Sequence, residues 1–219
     1  VAQGGTGGMT MMQDVLQSAA IGVGVAHVPE NLIILAKPGC AAAIWQRQPL
    51  PAFQTWIDVV DPENLPSARM ILKPQNVHSV LSGLCDTSLM PDGPHRQSFI
   101  KDIAALSHLF CDLIDAPYVR LRLSRVTANA CRKFHIDAIT ARLVCTYRGT
   151  GTQFGISHDG GEPERIFTVP TGTPILLRGT MWPEVPRSGL LHRSPPIQGS
   201  GETRLVLVLD PVFDLKEET

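Results

Sequence analysis

The chain has 219 residues, 19 basic and 20 acidic side chains, and a formal net charge of −1. That balance carries no electrostatic footprint for nucleic acid or an anionic membrane surface, and the length allows one large domain, or a core with an appendage, that buries its apolar residues without staples. The five cysteines are odd in number, scattered and free of any Cys-x-x-Cys, which argues against a zinc knuckle or a thioredoxin-type pair and for reduced thiols in a cytoplasmic protein.

Residues 1–12 read as a disordered linker or expression remnant, with Met9 or Met11 nearer the natural start. The apolar run at 19–28 is short, contains Gly22 and Gly24 and lacks a basic leader, so it makes a poor signal peptide. No apolar run approaches the roughly 20 residues that span a bilayer.

Residues 13–117 read as a mainly helical portion, after two short strand-like runs at 32–35 and 41–45. Pro51 suits a first helical turn, and Phe53, Trp56, Ile57 and Val60 follow at helical spacing. Val77, Val80, Leu81, Leu84 and Cys85 repeat the stripe, which makes Cys85 a small core hydrophobe. The clearest helix is 97–115, carrying Phe99, Ile103, Leu106, Phe110 and Leu113, with Cys111 on or close to the same face. Pro91-Asp92-Gly93-Pro94 before it is a turn.

From Tyr118 the period becomes two. Val119, Leu121 and Leu123 alternate with Arg120, Arg122 and Ser124. Further short strands are expected at 142–147, 165–169, 174–178 and 203–210, separated by glycine-rich turns. Helices first and strands afterwards predict an α+β fold. Residues 118–219 would form a jelly-roll barrel of the cupin type, a double-stranded β-helix, with the helical portion packed against it in one compact domain.

The chemistry centres on Phe134-His135-Ile136-Asp137 and on Leu191-His192-Arg193. In a strand, residues i and i+2 share a face, so His135 and Asp137 aim at one point, and His192 can close the site from another strand. Two imidazoles and one carboxylate hold a redox-active divalent metal and leave positions open, as in the facial triad of non-haem Fe(II) oxygenases. The competing reading makes His135 a core histidine, Asp137 a turn cap and His192 a surface residue. Arg204 lies 12 residues after His192, on a strand face with Val206 and Val208. An arginine pointing inward beside a metal calls for an anion, either a ligand carboxylate or a structural partner such as Glu202 or Asp210.

Tyr147 follows in a segment dense in hydrogen-bonding side chains and is a candidate to bond a metal-bound ligand, with Thr152 or Gln153 lining the pocket. His27, His78, His95, His108 and His158 lack partners at ligand spacing and read as surface residues. Cys131, four residues before His135, offers a second reading: with His135, Asp137 and His192, or with Cys145 recruited, it would make a closed zinc site.

Ala43-Ile44-Trp45-Gln46-Arg47, Cys131-Arg132-Lys133-Phe134-His135-Ile136-Asp137, Arg142-Leu143-Val144-Cys145-Thr146-Tyr147-Arg148-Gly149 and His192-Arg193-Ser194-Pro195-Pro196 together resemble a bacterial family catalogued as domain of unknown function 1826. The resemblance covers roughly residues 30 to 212 and names kin without a reaction. Some members are encoded near zinc-responsive genes, which implies metal homeostasis as one possible role. His135, Asp137, His192 and Arg204 also resemble, more distantly, the Fe(II)/2-oxoglutarate oxygenases. That resemblance implies iron at the triad, 2-oxoglutarate at Arg204, and a small-molecule or peptide substrate. The alternatives are a zinc-binding protein without oxygenase activity and a metal-free cupin-like module for small anions. No nucleic-acid or membrane partner is expected, and edge-strand pairing leaves a homodimer open.

Overall fold

A computed structural model of the protein describes residues 19–157 and 161–218; the readings of residues 1–12 lie outside them. The helical stripes become three α-helices. α1 (Pro51–Val59) opens on a proline whose fixed φ suits the first turn, and it buries Phe53 and Ile57. α2 (Val77–Thr87) buries Val77, Leu81 and Cys85. α3 (Pro94–Ile114) buries Phe99, Ile103, Leu106, Phe110 and Cys111. It starts ahead of the predicted Gln97, because Gly93 turns the chain at φ 132 and Pro94 takes the first helical position.

The strand-like run expected at 32–35 is instead part of a 3-10 helix, Pro29–Ala36. Pro29 presets the opening φ, and Leu32 and Leu35, three apart, fall on one side of a three-residue turn and are both buried.

The strands are β1 (Gly22–Ala26), β2 (Cys40–Trp45), β3 (Ala68–Leu72), β4 (Tyr118–Val126), β5 (Ala141–Arg148), β6 (Gln153–Ile156), β7 (Phe167–Thr168), β8 (Ile175–Arg178), β9 (Leu190–Arg193) and β10 (Arg204–Val212). Seven of them pair in the order β1-β2-β8-β5-β10-β4-β3, antiparallel except for β1 with β2. The other three pair as β7-β6-β9. The large sheet therefore draws β1, β2 and β3 from the first half of the chain. Among the described residues no strand pairing joins the two sheets, so the expected barrel is not closed. The small sheet has only two- and four-residue strands, too short to supply a seam on both sides.

Period two divides the large sheet into two buried faces. Leu121 and Leu123 of β4, Leu143, Cys145 and Tyr147 of β5, and Leu205, Leu207 and Leu209 of β10 pack under the helices in the main core. The opposite face gives Val144, Ile175, Leu177 and Val206 to a second core shared with Phe154 and Leu190 of the small sheet. Each such side chain contributes about 1.5–3 kcal/mol when fully buried. The same second face carries Arg122, Arg142 and Arg204 into the space between the sheets. Among the described residues, no helix is long and apolar enough to cross a membrane.

Candidate metal centre

His192 stands on β9, and its backbone exchanges two hydrogen bonds with His135. His135 N donates to His192 O at 3.1 Å, and His192 N donates to His135 O at 3.0 Å. His135 thus extends the small sheet by a single bridge. Directly opposed residues set their side chains on one face, and the two rings stand 4.6 Å apart. Asp137 follows two residues on. Its carbonyl accepts from Thr180 N at 2.9 Å, an approach that Gly179 permits. A Cβ at position 179 would lie 1.9 Å from Ile139 O and 2.8 Å from Asp137 O.

One ligand atom from each of the three residues falls within 4.8 Å of the others. His192 Nε2 is 3.0 Å from Asp137 Oδ2, and His135 Nε2 is 3.6 Å from Asp137 Oδ1. His135 Nδ1 lies 2.8 Å from the carbonyl of Lys133. A ring that donates from Nδ1 to a carbonyl leaves Nε2 with its lone pair directed at the cluster. Burial raises the Asp137 carboxyl, but the His192 imidazole and the Arg142 guanidinium outweigh it and hold the group at about 2. Burial lowers the His192 imidazole, against the pull of Asp137. Arg142 Nη1 approaches Asp137 Oδ2 at 2.5 Å. That oxygen is buried and makes no hydrogen bond of acceptable geometry. An ionised carboxylate between two imidazoles is a donor set that fits a divalent cation.

Arg204 shares the triad's cavity, a space of about 270 Å³ lined also by Arg122, Ser124, Thr152 and Ser194. This lies at the small end of ligand pockets, which run to roughly 300–1,000 Å³. Arg204 is 2% exposed. It donates from Nε to Thr150 O at 2.6 Å and from Nη1 to Ser194 Oγ at 2.6 Å. Neither structural partner weighed for it pairs with it. Glu202 accepts from Thr150 N and Thr150 Oγ1, and Asp210 is taken by Arg122 and Arg142. Burial lowers the Arg204 guanidinium to about 10.

Tyr147 is not part of this site. It lies on the helical face of β5, packed edge-on against Phe99, and its hydroxyl donates to Asp102 Oδ2 at 2.5 Å. Strand parity is the cause: Arg142 and Val144 line the cavity, so Leu143, Cys145 and Tyr147 face away. Cys145 is excluded as a ligand for the same reason, and burial pushes its thiol up to about 12. Cys131 borders the cavity, but the triad cluster contains no cysteine, so the four-ligand zinc set is not assembled. Thr152 does line the cavity, whereas Gln153 accepts from Arg193 Nε on the small sheet. His27, His78 and His108 are exposed, and His95 packs edge-on against Phe53 and at a tilt against Trp56. His158 lies outside the described residues.

The sequence reading did not single out Arg142, Ser194 or the role of Asp210. Arg142 bonds Asp210 through Nε at 2.6 Å and Nη2 at 3.0 Å while meeting Asp137 through Nη1. The available signal was parity, since Arg204, Val206, Val208 and Asp210 share a face of β10, and Val206 and Val208 oppose Thr146 and Val144 of β5.

Two sheets enclose a His-x-Asp and a distant His, and the fold is shared with dioxygenases of known structure. The chain is similar to the dioxygenase for auxin oxidation 1 from Arabidopsis thaliana, solved with 2-oxoglutarate, at 12% identity and a TM-score of 0.52, covering 90% of this chain and 94% of that one. It is also similar to the dioxygenase for auxin oxidation in rice, at 13% identity and a TM-score of 0.53, covering 88% of this chain and 83% of that one. No curated protein matches the chain. The chain belongs to the family described as protein of unknown function (DUF1826), whose model matches residues 26–210.

Proposed function

We propose that the protein is a non-haem Fe(II)/2-oxoglutarate-dependent oxygenase on a double-stranded β-helix, acting on a small molecule. His135, Asp137 and His192 would hold the metal, and Arg204 would bind the distal carboxylate of 2-oxoglutarate. The supporting observation is Arg204 itself. A buried guanidinium without a carboxylate partner among the described residues, in the triad's cavity, is expensive unless an anion meets it there. Iron held by the triad would supply oxygen activation coupled to decarboxylation of 2-oxoglutarate. The chain's own residues bind and orient: Lys133 O fixes the His135 ring, Arg142 holds Asp137, and Thr150 and Ser194 hold Arg204.

The metal-free anion module fares worse, because it gives the converging ligand atoms of His135, Asp137 and His192 no role. The zinc-only reading loses its thiolate ligands. Elemental analysis of protein purified without chelator or nickel resin, followed by anaerobic titration with Fe(II) and 2-oxoglutarate, tests the proposal. His135→Ala should abolish metal binding. Arg204→Ala should keep the metal and weaken 2-oxoglutarate at least about tenfold, in line with roughly 1.5–3 kcal/mol for a hydrogen bond to a charged group. Iron-loaded protein with no visible charge-transfer band on adding 2-oxoglutarate overturns it.

A further inference from the structure

The triad's cavity holds more positive charge than a metal and 2-oxoglutarate require. Arg122, Arg142 and Arg204 line it. Against them stand Asp137, inside it, and Asp210, which pairs with both Arg122 and Arg142. A divalent cation and the two carboxylates of 2-oxoglutarate cancel each other, so one guanidinium stays unmatched. A half-buried charge left in that state is costly unless an anion reaches it.

The least satisfied of the three is Arg122, which shares one carboxylate with Arg142. Arg142 spends its nitrogens on Asp137 and Asp210. Arg122 makes one hydrogen bond, from Nη2 to Asp210 Oδ2 at 3.0 Å, and that oxygen already accepts from Arg142 Nη2 at 3.0 Å. Its Nε is buried with no hydrogen-bond partner among the described residues, although a guanidinium carries five donors. Sheet register separates it from the 2-oxoglutarate anchor. Arg122 opposes Val208 and Ser124 opposes Val206, while Arg204 opposes Val126. Four residues at about 3.3 Å each put the two arginines about 13 Å apart along the sheet. One small dicarboxylate that is anchored at Arg204 and chelates the metal does not also satisfy Arg122.

The remaining walls say what frame the anion sits on. Val126, Val144, Val206 and Val208 line the cavity, and none of its described lining residues is Phe, Tyr or Trp. Resting on the oxygenase reading, we infer that the substrate is a small aliphatic carboxylate whose anionic group is bound by Arg122 beside Ser124. Arg122 is then a specificity-determining residue. It selects an acid over its neutral amide because only the acid brings the negative charge that offsets the guanidinium.

The test uses the full chain loaded with Co(II) and saturated with 2-oxoglutarate under anaerobic conditions, so that Arg204 is already filled. Isothermal titration with pentanoate and with pentanamide reads the second site directly. Pentanoate should bind and pentanamide should not. Arg122→Gln should weaken pentanoate about tenfold or more, and Arg122→Lys should lose less, with the Co(II) and 2-oxoglutarate affinities of both variants retained as proof of folding. Equal binding of acid and amide, no binding of pentanoate, or an Arg122→Gln protein that binds it as the parent does, overturns the inference. The preceding 2-oxoglutarate titration separates the two proposals. A protein that ignores 2-oxoglutarate yet binds pentanoate through Arg122 upholds the anion site and overturns the oxygenase reading.

Discussion

Asp210 is the residue on which the polar floor of the cavity depends. Its side chain is 4% exposed and accepts from Arg142 twice and from Arg122 once. Removing one partner from a buried ionic network leaves the others uncompensated, at a cost of about 3–5 kcal/mol. Asp210→Asn should therefore lower unfolding stability by about 3 kcal/mol, the lower figure because Arg142 keeps Asp137. Chemical denaturation measures it, and a change under about 1 kcal/mol would show that the network is dispensable. The triad was legible because His-x-Asp needs only strand parity to be read. Arg142 was passed over and Tyr147 assigned to the pocket for one shared reason. β5 is buried on both faces, with the pattern exposed at neither end of a polar-apolar alternation. In such a strand the sequence shows which residues share a face and does not show which face is which.

At the level of elements, Gly179 decides how close the segment after β8 comes to the segment after Asp137. Gly179 N donates to Thr140 O at 2.9 Å and Thr180 N to Asp137 O at 2.9 Å, a pairing that positions the metal carboxylate from behind. Gly179→Ala would place a Cβ 1.9 Å from Ile139 O, and backbone on both sides leaves no flexible side chain to yield. The variant should weaken metal affinity by at least about tenfold (about 1.4 kcal/mol), while the far-UV spectrum stays native. Unchanged affinity for Co(II), read by its visible absorption, would refute the role. The long helices and β4 and β10 were legible because their stripes are long. β1 was missed because Gly22 and Gly24 weaken a strand signal, and β3, β6 and β9 because four or five residues carry little periodicity. Strands of that kind are specified by the partners they meet, such as β4 for β3 and β6 for β9.

For the molecule as a whole, the triad spans the gap that strand pairing leaves open. His135 and His192 belong to the small sheet, while Asp137 is ion-paired to Arg142 of the large one. A cation held by all three would fasten the sheets where no backbone ladder does. Because such a site is absent from the unfolded chain, binding adds directly to stability, by about 2.7 kcal/mol at a hundredfold excess over Kd. For a domain of this size that corresponds to a rise in Tm of roughly 5–10 °C. Thermal unfolding of chelator-treated protein, with and without added Co(II), should show that rise and its reversal by EDTA. His192→Ala should unfold at the same temperature with or without the metal, which separates binding at the triad from binding to scattered cysteines and histidines. A parent protein whose Tm ignores Co(II) would mean that the cluster is a polar patch between two sheets already fastened by their shared apolar core.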